Sequence, residues 1–358
     1  MAKRTKKSFI HHQYFAAIVA FVSVTSILGV ALLSAHSSKN VSVSADSNLI
    51  TFEKPQYTVG SINGQDGWTS TGSAGSGCAV YDQAVATQSS YLLFGQQSFR
   101  ISDAVTSGCF GDQTFAKPLS DSVGETGATA GSFALGHRQN HFDMFFTIAS
   151  VVPTAQQAGL HISISPDRGD GSRMSYLRFE DGANGIDVFF DDVQGTSNPA
   201  NFVETQVASG LNRKRPHLVF LTLDTIDGPS NDIVKVYIDG KLVHKGTSWE
   251  NYYRYDSEAS AEQSPRIVKT VIFRSSGTAN PADQGKGFYI DNLFTRSGQR
   301  FGNIFTSKDQ CKNDGWQLFT NPTFKNQGQC VDYMQNHDND HDDDSGLHHF
   351  PYLHPPRD

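Results

Sequence analysis

Apolar and polar residues alternate through residues 233–246, which read IVKVYIDGKLVHKG, on both sides of Asp239 and Gly240. Alternation with a period of two directs one face of a strand toward a core and the other toward solvent. An Asp-Gly pair between two such runs is typical of a tight hairpin turn. The segment therefore predicts a β-hairpin.

Similar runs recur through the body of the chain, and hardly any stretch has helical periodicity. Clusters of Gly, Pro, Asn and Asp, such as residues 227–232, separate the runs and indicate turns. Strands are predicted at residues 49–53, 98–101, 141–149, 160–165, 174–179, 185–190, 202–208, 217–224, 233–238, 241–244, 269–274 and 287–294. Many short strands separated by turns predict an all-β fold of two packed antiparallel sheets.

Five blocks of this body resemble a group of exported bacterial proteins. They are FE at 52–53, NGQDGW at 63–68, SPDRGDGSRMSYLRFED at 165–181, VKVYIDGKLV at 234–243 and GFYIDNL at 287–293. The resemblance spans about residues 49–295. It implies a concanavalin A-like, laminin-G-like jelly roll of the lectin and glucanase type, a fold most often linked to carbohydrate recognition. We take residues 46–297 as this lectin-like sandwich domain.

The chain begins with a basic stretch, KRTKK, followed by an apolar run at residues 15–33 that contains no charge. Such a segment enters a membrane, with its basic flank on the cytoplasmic side. Its length suits both a cleaved signal peptide and a retained N-terminal transmembrane anchor, so residues 1–45 are predicted to be one or the other. Everything after Lys39 is then extracellular or at the cell surface.

The formal net charge of the 358-residue chain is −7. Residues 1–45 carry five basic side chains and no acid, so the remaining chain carries −12. A surface this acidic makes nucleic acid an unsuitable partner.

Four cysteines are grouped as Cys78 with Cys109 and Cys311 with Cys330. An even number in an exported chain favours disulfides, and pairing within each group is the prediction. The absence of a CxxC spacing disfavours the alternative, a metal site. A bond between Cys311 and Cys330 would contribute about 3 kcal/mol by restricting the unfolded chain.

The segment CKNDGWQLFTNPTFKNQGQC, at residues 311–330, resembles a short tail module found behind unrelated domains in exported bacterial proteins. We predict a disulfide-stapled helical hairpin over residues 298–336, with residues 307–310 capping one helix and Pro322 starting a second that ends near Asn336. Trp316 and Phe319 are its predicted core. The His- and Asp-rich residues 337–358 are predicted to be disordered.

No catalytic motif stands out in the body. The Glu-x-Asp-x-x-Glu run of sandwich glycosidases is absent, as is a Gly-x-Ser-x-Gly elbow. Polysaccharide lyases on this fold need a Tyr/His pair with Arg and Gln, and no matching motif surrounds Tyr176, Arg178 or His217. Isolated histidines are interpreted as surface or strand residues: His137, His141, His161, His217 and His244.

The sequence requires no cofactor, and calcium is the candidate, because loops of lectin-like sandwiches often hold this cation and loop acids are abundant. Asp167 and Asp170 lie in one tight Gly-containing turn. Glu53 of the first strand and Asp291 of the last could also approach each other if those strands pair. The alternative for Asp167 and Asp170 is a simple Asx-type turn.

Aromatic rings and amides that could contact a sugar are concentrated at residues 249–255, in a loop after the hairpin. The predicted carbohydrate-binding residues there are Trp249, Asn251, Tyr252, Tyr253 and Tyr255. In the alternative, Trp249 and Tyr252 cap the edge of the sandwich as core residues. Trp68 is interpreted as structural.

These observations predict an exported or surface-anchored carbohydrate-binding protein without catalytic activity, whose partner is a glycan or cell-surface polysaccharide. One alternative is a structural or adhesive surface protein that contacts other proteins. A second is a polysaccharide hydrolase or lyase.

Overall fold

A computed structural model of the protein describes residues 46–71, 81–106, 113–125, 139–260, 266–275, 277–298, 311, 316 and 324–337. In chain order its strands are β1 (Asp46–Ile50), β2 (Thr69–Ser70), β3 (Gln83–Thr87), β4 (Gln97–Ile101), β5 (Gln113–Phe115), β6 (Val123–Gly124), β7 (His141–Ser150), β8 (His161–Asp167), β9 (Tyr176–Gly182), β10 (Gly185–Val193), β11 (Phe202–Leu211), β12 (His217–Asp224), β13 (Ile233–Ile238), β14 (Lys241–Gly246), β15 (Ile267–Val268), β16 (Thr270–Arg274) and β17 (Phe288–Gly298). The α-helices of these residues are α1 (Glu250–Tyr255), α2 (Ser257–Ser260) and α3 (Gln327–His337). Leu92–Phe94 and Pro281–Asp283 form short 3-10 turns.

The strands form two large antiparallel sheets. The eight-stranded sheet has the order β14-β13-β12-β7-β17-β4-β3, and β1 also pairs with β17. The seven-stranded sheet has the order β11-β10-β9-β8-β16-β5-β2, and β6 and β15 form a separate small pair. The predicted all-β fold of two antiparallel jelly-roll sheets is confirmed.

The hydrophobic core lies between the two sheets, where inward side chains of both meet. Phe146 of β7 contacts Phe179 of β9 with ring centroids 5.9 Å apart, and Phe99 of β4 lies 5.2 Å from Phe273 of β16. All four rings are fully buried. Truncating one of them to alanine is expected to cost about 3–5 kcal/mol, the range for buried Phe in other cores.

Trp68 belongs to this core, as the sequence predicted. Its ring is fully buried and contacts Phe52, Phe99 and Phe273. Its indole Nε1 donates a 3.1 Å hydrogen bond to the hydroxyl of Tyr57. A buried indole that satisfies its polar atom in this way stabilises the sandwich and presents no surface to a ligand.

The predicted hairpin is present. Asp239 and Gly240 both have positive φ, at 51° and 81°, as a tight two-residue turn requires. The Asp239 carboxylate accepts hydrogen bonds from His217 Nδ1 at 2.8 Å and from the backbone amide of Leu218 at 2.9 Å. Burial alone raises the pKa of Asp239, but these bonds outweigh it and lower the pKa to about 2. The turn is thereby fastened to the neighbouring strand β12.

Strand limits agree with the prediction most closely in the centre of the chain, where β12 and β13 match it residue for residue. β1 ends at Ile50, so Glu53 lies beyond the first strand and not within it. The sequence missed β2, β3, β5, β6 and β15, which have two to five residues each. Such short runs carry too little alternation to be recognised, and their pairing depends on neighbours far along the chain.

An apolar row crosses the outer face of the eight-stranded sheet. Cross-strand pairing aligns one residue from each of six strands, and we call these residues the apolar row: Leu49, Phe294, Phe145, Phe220, Tyr237 and Leu242. Phe220 and Tyr237 at its centre are buried and have ring centroids 5.6 Å apart. Leu49 and Leu242 at its two ends are exposed.

A network of four charged side chains lies beside the apolar row. His141 of β7 contacts Asp224 of β12 at 2.5 Å and Asp143 at 2.8 Å, and Arg296 Nε of β17 donates to Asp143 at 2.8 Å. Burial alone lowers the pKa of His141, but the two carboxylates outweigh it and raise the pKa to about 9. The network is therefore charged at neutral pH and joins three strands.

In the C-terminal segment, Cys311 and Cys330 form the predicted disulfide, with Cα atoms 5.7 Å apart. Trp316, Phe324 and Val331 pack against the buried bond. Helix α3 begins at Gln327, five residues later than the predicted start, and ends at His337. Phe319, the capping residues 307–310 and the tail after residue 337 lie outside the described residues.

In the part of the chain that the structure describes, no helix is both long enough and apolar enough to cross a membrane. The predicted membrane segment at residues 15–33 lies outside this part, as do Cys78 and Cys109. Export and the first disulfide remain predictions.

Candidate functional site

The outer face of the seven-stranded sheet carries polar and charged side chains that alternate with core residues along each strand. Pairing between strands aligns four of them with the aromatic Phe189 across the sheet, and we call these five residues the groove row: Gln206, Phe189, Arg178, Ser163 and Arg274. The row is at right angles to the strands, so it offers a ligand a path across the sheet.

A depression of about 160 Å³ lies over the centre of the groove row. We call it the groove; its lining residues are His161, Ile162, Ser163, Arg173, Tyr176, Arg178 and Arg274. Pockets that enclose a drug-sized molecule measure about 300–1,000 Å³. The groove is therefore too small to enclose a whole ligand and suits one ring or one charged group of a chain that extends along the surface.

Arg178 occupies the middle of the groove in a closed ion-pair network. Its Nε and one terminal nitrogen donate to the two oxygens of Glu204 at 2.8 and 2.7 Å, and the other terminal nitrogen donates to Glu180 at 2.7 Å. Its guanidinium also lies 4.0 Å from the ring centroid of Phe189. Two carboxylates compensate the charge of Arg178, so this residue shapes the groove more than it attracts anions.

Arg173 differs from Arg178 in having rings as neighbours where Arg178 has carboxylates. Its guanidinium carbon lies 4.9 Å from the ring centroid of Trp249 and 5.4 Å from that of Tyr176. Burial and, second, the nearby charge of Arg274 lower the pKa of Arg173. The free protein thus holds a positive charge where the surroundings disfavour it.

The backbone around Arg173 is clamped from two sides. Tyr253 of α1 donates its hydroxyl to the Arg173 carbonyl at 2.7 Å, and the amide of Trp249 donates to the Met174 carbonyl at 2.7 Å. Asp167 and Arg173 form an isolated β-bridge across the loop between β8 and β9. Helix α1 therefore fixes the loop from which Arg173 reaches into the groove.

Asp191 of β10 adds a titratable acid beside this pair of rings. The indole Nε1 of Trp249 donates to the Asp191 carboxylate at 2.9 Å. Burial raises the pKa of Asp191 to about 7; the Trp249 hydrogen bond opposes this shift and the charge of Glu204 adds to it. The charge beside Trp249 thus changes close to neutral pH.

The predicted carbohydrate-binding residues lie in helix α1 and at its N-terminal boundary, and not in an open loop. Trp249, Asn251 and Tyr253 are buried. Asn251 donates to the carbonyl of Gly195 and the hydroxyl of Ser230, and Tyr252 packs against Phe202 with ring centroids 5.2 Å apart. Tyr255 is 38% exposed.

These positions divide the predicted set. Trp249 contacts Arg173, which lines the groove. Asn251 and Tyr253 instead donate hydrogen bonds to groups inside the protein. Tyr252 and Tyr255 are on the same helix but do not line the groove. The packing of Trp249 and Tyr252 agrees with the alternative in which these residues cap the edge of the sandwich.

Asp167 and Asp170, the first predicted calcium ligands, are engaged by the protein. One Asp167 oxygen accepts the amides of Gly169, Asp170 and Gly171, and Asp170 pairs with Arg168. The second Asp167 oxygen is buried without a hydrogen-bond partner, and burial raises the pKa of this carboxyl to about 6. An Asx-type turn accounts for most of these contacts, and a guanidinium on Asp170 fits a cation site poorly.

Glu53 and Asp291, the second predicted pair, fit an oxygen-ligated cation better. β1 pairs with β17, as that prediction required. Asp291 is buried, and burial together with the charge of Glu53 raises its pKa to about 8, against hydrogen bonds from Ser98 and Asn292. The backbone N–H of Gln97 donates to Glu53, and the side-chain oxygen of Gln97 is buried without a hydrogen-bond partner. Two acids and one free amide oxygen are the ligand chemistry that calcium prefers.

A third acidic group is buried beside α1. Among the described residues, Glu125, Asp232 and Glu250 form the one trio of acids whose oxygens lie within 4.8 Å of each other. Arg254 pairs with Glu125 and Glu250, Arg266 Nε donates to Glu125 at 2.8 Å, and burial and Glu250 raise the pKa of Asp232. These internal pairs fasten α1 to the sandwich and account for the trio without a ligand.

Sequence reasoning missed the groove itself. Tyr176, Arg178 and Glu180 alternate with buried Leu177 and Phe179, so their outward direction could have been recognised. His161 was interpreted as an ordinary strand residue and Arg173 was not considered. Their proximity depends on the pairing of β8 with β9 and on the position of α1, which no local pattern contains.

Comparison with solved structures finds lectins and polysaccharide lyases built on sandwich folds. Basic winged bean lectin with Tn-antigen has a TM-score of 0.35 at 12% identity, covering 71% of this chain and 98% of the lectin. Endo-β-1,4-glucuronan lyase from the fungus Trichoderma reesei has a TM-score of 0.34 at 12% identity, covering 73% of this chain and 97% of the lyase. An alginate lyase of polysaccharide lyase family 7 has a TM-score of 0.33 at 12% identity, covering 66% and 96%.

No protein-family model matches the chain, and no curated protein matches it either. The class of the molecule, a two-sheet antiparallel sandwich, is established by its own strand order.

Proposed function

We propose that the protein binds a carbohydrate along the outer face of the seven-stranded sheet without cleaving it. The observation that carries this proposal is the groove, where the ring of Tyr176, the hydroxyl of Ser163 and the donors of Arg173 and Arg178 line one depression. Sugars need a flat ring for their apolar face and fixed donors for their hydroxyls. An open path across a rigid sheet suits an extended glycan.

The acids of the groove favour binding over hydrolysis. Retaining and inverting glycosidases need two available carboxyl groups, about 5 Å or about 6.5–9.5 Å apart. Glu180 and Glu204 are both occupied by Arg178, and Asp191 accepts the indole of Trp249. No pair of free carboxylates therefore faces the groove among the described residues.

Elimination chemistry is disfavoured by the separation of His161 and Tyr176. In the pairing of β8 with β9, His161 lies opposite Glu180. Glu180 is four residues further along β9 than Tyr176. At about 3.3 Å per residue the two side chains emerge about 13 Å apart. This offset between the two strand positions supports binding over elimination, although both side chains line the groove.

Two further parts of the proposal come from the sequence. The basic start and apolar run at residues 1–45 support export to the cell surface or the medium, with a membrane anchor if the segment is retained. Calcium is proposed as a structural cation held by Glu53 and Asp291, whose acids and neighbouring amide oxygen suit it.

A glycan panel probed with the full-length protein tests the function, and a pair of matched variants tests the location. Ser163→Tyr fills the groove, whereas Thr222→Tyr places the same ring on the outer face of the eight-stranded sheet. We expect Ser163→Tyr to weaken binding at least about tenfold, because the groove is filled, and Thr222→Tyr to leave it unchanged.

Silence of the wild-type protein across plant, microbial and host glycans would overturn the carbohydrate proposal and favour a structural or adhesive surface protein. Reducing-end and unsaturated-product assays on the same panel are expected to stay at background. Product formation that Ser163→Tyr abolishes would instead identify a polysaccharide hydrolase or lyase.

A further inference from the structure

We propose that the groove selects acidic glycans, and that the guanidinium of Arg173, which packs against the rings of Tyr176 and Trp249, binds a carboxylate or sulfate group of the sugar. This inference rests on the proposed function, because it assigns a ligand class to the same groove.

Arg173 differs from most of the described arginines, because no carboxylate of the described residues lies within ion-pair distance of it. Within the described ranges eight arginines have a carboxylate within 4 Å: Arg100, Arg168, Arg178, Arg213, Arg215, Arg254, Arg266 and Arg296. Arg173 has no such partner among these residues. Its Nε is buried and donates no hydrogen bond. The acids of the chain outnumber its basic residues by 36 to 29, yet the acid that acts on Arg173, Asp167, forms no ion pair with it.

Arg173 is held in place by aromatic rings, unlike an arginine that extends freely into solvent. The Trp249 ring is 4.9 Å from its guanidinium carbon and the Tyr176 ring 5.4 Å. Trp249 is itself held by hydrogen bonds to Met174 and Asp191. Because these rings restrict the side chain before any ligand arrives, little conformational entropy is lost when it binds.

The charges around the guanidinium favour an incoming anion. Arg274 lines the same groove, and its positive charge acts on Arg173. Glu180 and Glu204 are directed to Arg178 and do not neutralise Arg173. An anionic group that enters between Arg173 and Arg274 would relieve their mutual repulsion, which a neutral sugar hydroxyl cannot do.

Guanidinium geometry matches the two planar oxygens of a uronate carboxylate and also accepts a sulfate ester. Both groups occur on extended polysaccharides, and the groove has room for one such group with the polymer continuing along the groove row. The shared chemistry is an oxyanion attached to a sugar ring.

Two matched ligand pairs test the inference with the full-length protein. The first pair is polygalacturonate and the same polymer after reduction of its carboxyl groups to alcohols. The second pair is dextran sulfate and dextran. We expect the wild-type protein to bind the charged member of at least one pair about tenfold or more tightly than the neutral member, as a charged hydrogen bond implies. The pair that discriminates distinguishes carboxylate from sulfate.

Variants of Arg173 assign the effect to the residue. Arg173→Gln should remove the preference for the charged polymer, and Arg173→Lys, which keeps the charge but loses the planar fork, should retain part of it. The matched control is Arg168→Gln, which changes the net charge equally in the same loop but removes an arginine already paired with Asp170. We expect this control to bind within about twofold of wild type, as surface ion pairs contribute little.

The outcomes separate the two proposals. Equal binding of both members of both pairs would refute acidic selectivity while leaving glycan binding intact. Equal affinities of Arg173→Gln and Arg168→Gln would refute the role of Arg173. Failure to bind any glycan refutes both proposals. Should Arg173→Gln unfold, as circular dichroism would reveal, the comparison of the ligand pairs on wild-type protein still decides the ligand class.

Discussion

The outer faces of the two sheets have the same backbone geometry and opposite chemistry. On the eight-stranded sheet, six aligned strands contribute the apolar row, and the charged residues beside it are closed into ion pairs. On the seven-stranded sheet, the groove row is mostly polar, and no carboxylate of the described residues forms an ion pair with the adjacent Arg173. Both faces satisfy the alternation of a sandwich, so the fold does not explain the difference.

The comparison indicates how the two faces divide their roles. Polar groups that saturate one another, as His141, Asp143 and Asp224 do, stabilise the folded chain and have little left to offer a ligand. Polar groups held in place without partners cost stability and are available for binding. We therefore expect substitutions on the first face to change stability and those on the second to change binding.

The largest expected effect tests this division with one truncation on each face. Asp143→Ala leaves His141 and Arg296 without their shared buried acid and should lower the free energy of unfolding by about 3 kcal/mol. Glu204→Ala breaks a more exposed pair with Arg178 and should cost less than about 1 kcal/mol. Urea denaturation measures both values. Equal losses, or a loss of glycan binding in a folded Asp143→Ala, would contradict the division.

The next effect concerns pH and depends on Asp191. Burial raises its pKa to about 7, against about 3.9 in an unfolded chain, so the folded state holds this proton more tightly. The stability that Asp191 contributes is complete below about pH 4 and is lost as the pH rises through 7. Subtracting the unfolding free energies of Asp191→Asn from those of wild type at pH 4 to 8 isolates this slope.

Binding should follow the same titration. An ionised Asp191 places a negative charge beside Trp249, whose ring contacts Arg173. Affinity for an acidic glycan should therefore fall several-fold between pH 6 and 8, a moderate electrostatic effect. Asp191→Asn should bind equally at both values. A fall of the same size in Asp191→Asn would assign the titration to another group.

A smaller effect distinguishes the two predicted calcium sites, which lie on opposite sheets. If Glu53 and Asp291 hold calcium, excess calcium should raise the melting temperature by about 4 °C or more, because a ligand bound only by the folded state stabilises it. Asp291→Asn should abolish the shift and Asp167→Asn should keep it, since Asp167 is occupied by backbone amides. A shift that Asp167→Asn abolishes and Asp291→Asn keeps would place the calcium site on the seven-stranded sheet. An unchanged melting temperature of the wild-type protein would refute calcium binding.

The smallest effect is expected at the exposed end of the apolar row. Leu49 is 55% exposed, so Leu49→Ser should change the free energy of unfolding by no more than about 0.5 kcal/mol and leave glycan binding intact. Ser163→Tyr on the other face serves as the comparison. Reduced glycan binding in Leu49→Ser would show that the ligand contacts the eight-stranded sheet.

Much of the fold was predictable, because alternation reports directly on which face of a strand is buried. β12 and β13 matched their predictions, and Asp239 with Gly240 formed the expected turn. The site was less predictable. Residues 249–255 were identified for their rings, yet helix α1 directs Tyr253 inward and leaves Trp249 as a support for Arg173.

By itself the sequence determined the elements, because a period of two and an Asp-Gly turn act over a few neighbouring residues. It also determined the pairing of Cys311 with Cys330, which are close along the chain. Only the tertiary structure decided which side chains meet. Arg173 and Trp249 are 76 positions apart in the sequence, and Ser163 and Arg274 are separated by 111. Their contacts depend on strand register and on the docking of α1, which are global properties of the packed chain.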